Sequence, residues 1–143
     1  MREILFRGKR VDNTHGWVYG DYHDFSRGKS ISFFKIFIGT LSAASAVVPE
    51  TVGQYTGVKD ENDTKIFEGD ILSAQFDEEV RGHVCWNDCG WHIKIGSRFY
   101  PLERDWIRHY FRIIGNIHDN PKLLENKVYM DQERGISNAS NAL

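Results

Sequence analysis

Apolar and polar residues alternate in short runs along this chain, and clusters of Gly, Asp, Asn and Ser separate the runs, a pattern of brief strands joined by turns. Ile4 to Phe6, the turn-forming Asp12-Asn13-Thr14-His15-Gly16 and Trp17 to Tyr22 predict a hairpin, in which Trp17, Tyr19 and Asp21 alternate against Val18, Gly20 and Tyr22. Ser26-Arg27-Gly28-Lys29-Ser30 is a second turn, and Ile31 to Ile38, apolar on both faces, predicts a central strand. Thr40 to Pro49, rich in Ser and Ala, reads as a connection. From Glu50 to Asp70 turn residues crowd together around Gly53, Gly57 and Asp60-Glu61-Asn62-Asp63, leaving one short strand, Lys65 to Phe67, closed by Gly69-Asp70.

The pattern is clearest after that point. Ile71 to Phe76 predicts a strand, and Gly82 to Trp86, the loop Asn87-Asp88-Cys89-Gly90 and Trp91 to Ile95 predict a hairpin. Its loop length sets Trp86 opposite Trp91 and Val84 opposite Ile93 on one side, with Cys85 opposite His92 and His83 opposite Lys94 on the other. Pro101 to Tyr110 predicts about two helical turns with Leu102, Trp106 and Tyr110 on one stripe. Phe111 to Ile117 returns to strand, and Asn120-Pro121 opens a short helix over Lys122 to Asn126.

These elements predict a mainly β protein with short helices: an SH3-like barrel or roll in the C-terminal part, with additional N-terminal strands. The expected organisation is residues 1–47 as strands packed on the core, 48–125 as the barrel, and 126–143 as a partly disordered tail. A chain of 143 residues buries roughly 68–70% of its unfolded surface, enough for a core without covalent staples.

Charge and cysteine usage narrow the function. With 18 Lys and Arg against 20 Asp and Glu, the net charge of −2 gives no overall attraction to polyanions or anionic membranes, so nucleic-acid binding has to rest on a local patch. Two cysteines four residues apart make no secreted disulfide framework, the N-terminus lacks a signal-peptide apolar region, and no stretch approaches ~20 apolar residues. A cytoplasmic protein without a membrane role is expected.

Two blocks carry a family resemblance. Val48-Pro49-Glu50-Thr51-Val52-Gly53-Gln54-Tyr55-Thr56-Gly57 leads to Ile66-Phe67-Glu68-Gly69-Asp70-Ile71, and Ile114-Gly115-Asn116-Ile117-His118-Asp119-Asn120-Pro121 follows. With Phe6-Arg7-Gly8-Lys9 and Trp17-Val18-Tyr19-Gly20-Asp21, they resemble the YopX family over roughly residues 1 to 125. The resemblance implies a phage or prophage gene product, located in the cytoplasm of the bacterial host, with a largely β fold whose C-terminal part looks like an SH3-type roll. It implies no enzyme activity and supplies no catalytic residues. Read physically, Gly53, Gly57, Gly69 and Gly115 relax tight turns or close approaches, and Asp70 bonds the backbone of its own turn.

Each candidate constellation competes with an ordinary structural role. His83, Cys85, Cys89 and His92 offer the nitrogen and sulfur ligands that zinc takes, but H-x-C-x3-C-x2-H departs from standard zinc spacings, and the preferred reading is a polar sheet face with a free thiol and no metal or cofactor. Lys94, Arg98, Tyr100, Arg104, Arg108 and Arg112 interleave basic and aromatic side chains as a single-stranded nucleic-acid surface does, although Glu103 and Asp105 interrupt the run as on a solvated face. Gly28-Lys29-Ser30 lacks the first glycine of a P-loop, His23 standing in its place. Acid pairs such as Asp60 with Asp63 and Glu68 with Asp70 sit in turns that favour Asp for local bonding. The preferred function is therefore a non-enzymatic accessory protein that binds a host or phage protein, or itself as a homo-oligomer, through sheet edges and loops. Nucleic-acid binding is the alternative, and a zinc protein or metalloenzyme the third.

Overall fold

The computed structural model describes residues 2–12, 16–26, 36–40 and 43–125. The remainder of the predicted central strand before Ile36, the Gly28-Lys29-Ser30 turn, His15 and the 126–143 tail lie outside the described residues. The protein is mainly β, with two antiparallel sheets, and the chain divides into two compact units, Met1–Gly57 and Val58–Leu143.

In the first unit, β1 (Phe6–Lys9) and β2 (Trp17–Asp24) form the predicted hairpin, with Phe6 opposite Gly20 and Lys9 opposite Trp17. Next to β2 lies β3 (Ile36–Gly39), and next to β3 the two-residue β4 (Ser45–Ala46), which falls inside the segment expected to be a connection. A 3-10 turn at Pro49–Thr51 follows, and Thr51 stitches it to β1 by accepting from Lys9 N at 2.8 Å while donating to Val48 O at 2.6 Å. The strand β5 (Gly53–Lys59), whose last two residues belong to the second unit, then pairs with β1, Gln54 opposite Phe6 and Gly53 opposite Arg7. Its two glycines gave it the look of turns in the sequence, yet Tyr55 and Val58 are buried. Ile36, Ile38 and Val47 form the small core of this unit, with Phe6, Val18 and Val52 against them. Between β2 and β3 the backbones come close: a side chain on Gly20 would stand 2.7 Å from Gly39 Cα.

The second unit holds β6 (Lys65–Phe67), β7 (Asp70–Gln75), β8 (Glu79–Asn87), β9 (Gly90–Ile95), β10 (Arg98–Pro101), α1 (Arg104–Tyr110), β11 (Arg112–Asn116) and a 3-10 turn at Pro121–Leu124. Its five-stranded sheet runs β10-β9-β8-β7-β11. The expected barrel does not close: after β10 the chain passes through α1 and adds its last strand beside β7, so β10 and β11 are opposite edges. Val58, Ile66, Leu72, Ala74, Val84, Ile93, Ile95, Leu102, Ile107 and Phe111 form its core.

The helix is shorter than predicted because Arg98–Pro101 is a strand and Glu103 caps α1, accepting from Trp106 N at 2.8 Å and Asp105 N at 3.2 Å. The expected stripe is also corrected. Ile107 and Phe111 are fully buried, whereas Tyr110 is 46% exposed, because the helix ends there and Phe111 leaves in extended conformation.

Polar side chains hold the turns. Asp60, 1% exposed, accepts from Asn62 N and Thr64 N through Oδ1 and from Ile113 N through Oδ2, each at 2.9 Å. Asp70 accepts from Phe67 N at 2.7 Å around Gly69, whose φ of 94° suits glycine. Asn116 accepts from His118 N and Asp119 N, and Asn120 bonds back to Asn116 N across Gly115, where a Cβ would meet Asn120 Oδ1 at 2.5 Å.

Candidate functional site

The β8–β9 hairpin concentrates most of the chemistry proposed from the sequence. Its register is the expected one: Trp86 opposite Trp91, Cys85 opposite His92, Val84 opposite Ile93 and His83 opposite Lys94. Asn87 and Gly90 also pair, so the turn itself is only Asp88-Cys89, both with positive φ (51° and 64°), the tight geometry whose twist matches that of the flanking strands. Val84 and Ile93 enter the core, and the same side of the hairpin ends in an edge-to-face Trp pair with centroids 5.0 Å apart. Trp86 is 57% exposed. A large ring standing in water beside a two-residue turn is costly apolar surface that the fold leaves uncovered.

The opposite side of the hairpin is polar. Glu79, Arg81, His83 and Cys85 follow one another along β8 at every second residue, and His92 and Lys94 face them from β9. Glu79 accepts from Ser73 Oγ at 2.6 Å and from Arg81 Nε at 3.0 Å, and Arg81 Nη1 donates to Leu123 O at 3.0 Å. Burial, and then the Lys94 ammonium, hold the His83 imidazole below its ordinary 6.5. Burial lifts the Cys85 thiol; Lys94 opposes that lift and Glu68 adds to it, so this is not the thiolate-favouring setting of a reactive cysteine. Burial also raises Glu68 above 4.5.

Of the four proposed zinc ligands, Cys85 and His92 are cross-strand neighbours, but His83 faces Lys94, Cys89 is exposed in the turn, and His92 Nδ1 shares a 3.0 Å contact with Gly90 O. Among the described residues no three His, Cys, Asp or Glu side chains are grouped to hold a metal ion. The basic candidates are likewise spread out. Lys94 lies on the polar side with Phe99, its ammonium 5.5 Å from that ring's centroid, whereas Arg98 and Tyr100 are set by register on the core side, opposite Ile95 and Ile93. Arg108 pairs with Asp63 at 2.8 Å and Arg112 lies 3.8 Å from Glu61, so two of the cations serve the turn that Asp60 organises. Arg104 is exposed on α1. Arg81 is not among the residues that the sequence singles out, although period-two alternation from His83 and Cys85 is the signal that finds it, whereas Glu68 enters there only as an acid of the Gly69-Asp70 turn.

The titration of His83 gives a testable consequence. Its folded value lies below its unfolded one, so the unfolded chain takes up the proton first as pH falls. The neutral ring's contribution is complete above 6.5 and is lost below it. Glu68, raised by burial, works in the opposite sense, favouring the fold below 4.5 and weakening it as pH rises. Urea denaturation of His83→Gln against pH is expected to show a flatter decline just below 6.5 than the parent; an unchanged slope contradicts it.

The model of the family described as YopX protein matches residues 5–125. The chain belongs to the YopX family. The resemblance read from the sequence blocks is therefore confirmed; the Val48 to Gly57 segment forms the Pro49–Thr51 turn and most of β5, and the other two contain the turns held by Asp70 and by Asn116 with Asn120. This YopX-family chain is also similar to a crystal structure of protein EF1440 from Enterococcus faecalis, with a TM-score of 0.58 and 22% identity over 87% of this chain and 100% of that one. That likeness supports the fold alone. No curated protein matches. Among the described residues no helix is long and apolar enough to cross a membrane.

Proposed function

We propose that this YopX-family chain is a non-enzymatic binding module for protein partners, a phage or prophage accessory protein working in the host cytoplasm, and that the tip of the β8–β9 hairpin is its anchor. The observation that carries the reading is Trp86, exposed near the end of β8 and braced by Trp91 across the hairpin. Trp is the side chain most enriched among residues that dominate protein–protein binding energy, and a braced ring has little conformational entropy to lose on docking. Strand edges are a weaker choice. On β10, Pro101 brings no N–H, and on β11 the Ile113 N–H is spent on Asp60. For the fold of the second unit we retain an SH3-like roll without closure: four strands in a meander, a short helix, and a fifth strand returning beside the first support it.

The test is affinity capture from host lysate with the full chain and with Trp86→Ser. The parent is expected to retain a protein that the variant loses, while far-UV circular dichroism of the two coincides. Equal retention by both, or none by either, contradicts the proposal.

A further inference from the structure

The polar side of the second sheet carries a recess of about 170 Å³, lined by Arg81 and His83 of β8, Lys94 of β9, Gly96 of the next turn and Leu124. Three nitrogen-bearing side chains converge there, and no carboxylate is among the lining residues described. At ~30 Å³ per water molecule the space suits a small tetrahedral oxyanion. We propose that this recess binds a phosphate group, either free or on a small molecule.

The donors select phosphate over a carboxylate. A planar carboxylate is matched best by the two-pronged fork of Arg, but the Arg81 fork is already engaged, with Nε 3.0 Å and Nη2 3.4 Å from the two Glu79 oxygens. Arg81 is thereby fixed, with donor capacity left over from its five N–H groups. Lys94 approaches from the neighbouring strand, and among the described residues the His83 ring makes no hydrogen bond. Single donors from three directions fit a tetrahedral anion that offers an oxygen to each. The charged and titratable groups on this side are Glu68, Glu79, Arg81, Cys85, His92 and Lys94, and Glu79 already neutralises Arg81. Lys94 is thus the cation available to the ligand. A phosphate dianion also offsets the burial and the Lys94 repulsion that keep His83 neutral, so its arrival draws a proton onto that ring.

The test follows the His83 ring signals by NMR during titration with inorganic phosphate, and separately with glycerol 3-phosphate, at constant ionic strength. A saturable shift is expected, with a Kd on the order of 1 mM, and Lys94→Gln is expected to weaken it about tenfold. Arg98→Gln, which removes the same charge from the opposite side of the sheet, is expected to leave it unchanged, as is Trp86→Ser. Tighter binding of glycerol 3-phosphate assigns the site to phosphomonoesters, and tighter binding of inorganic phosphate assigns it to the free ion. Absence of a saturable shift with either probe, or equal weakening by Lys94→Gln and Arg98→Gln, overturns the proposal.

Discussion

Replacing Asp60 by Ala is expected to destabilise the second unit by about 3–5 kcal/mol, because it strands backbone donors at ~1–3 kcal/mol each when buried. Asp60 is 1% exposed and is the acceptor for Asn62, Thr64 and, 53 residues away, Ile113. The loss reaches further than one turn. Glu61 N donates to Phe111 O at 2.8 Å and Arg108 pairs with Asp63, so the 60–64 turn fastens the end of α1 and the start of β11 together. Asn at this position keeps one acceptor oxygen but turns an NH₂ group toward a backbone N–H, so roughly half the loss is expected. Urea denaturation followed by Trp fluorescence measures it, since three of the four Trp residues lie in the second unit. A midpoint within error of the parent contradicts the assignment.

Phe111→Ala is expected to cost a similar ~3–5 kcal/mol, the usual cost of emptying a fully buried aromatic site. Its ring lies edge-on to Trp106 at 4.8 Å and to Phe76 at 6.1 Å, and its own N–H closes α1 on Ile107 O at 2.9 Å. The adjacent Tyr110→Ala is the discriminating control: exposed, it is expected to cost under about 1 kcal/mol. The sequence periodicity points the other way, placing Tyr110 in the core, so the pair of variants separates the two readings.

That contrast shows where the sequence was legible and where it was not. The β8–β9 register was readable because a tight turn admits one pairing for a given loop length, and a one-residue slip would have exchanged Val84 and Ile93 for Cys85 and His92 in the core. The strand β5 was hidden because Gly53 and Gly57 carry turn signals, although here they lie within a strand whose neighbours Tyr55 and Val58 supply the burial. Likewise Pro101 suggested a helix start, yet proline is also at home on an edge strand, and only the pairing of Tyr100 with Ile93 decides between them. The nucleic-acid candidates looked like one patch because they are near in sequence. Alternation along β9 and β10 sends neighbours to opposite sides, and ion pairing across the 60–64 turn engages Arg108 and Arg112. The recess at Arg81, His83 and Lys94 was out of reach for the complementary reason: its residues come from two strands whose register had to be combined with a third element, the turn at Pro121–Leu124.

In this chain buried Asp side chains and the less buried Asn116 and Asn120 build the turns, while the exposed end of one hairpin meets the partner. Amide hydrogen exchange of the full chain, with and without the captured protein, tests it most directly. New protection confined to the strands and turn around Asp88-Cys89 is the predicted result. Protection that skips this hairpin and appears on α1 and the Arg98 to Arg112 segment would contradict it.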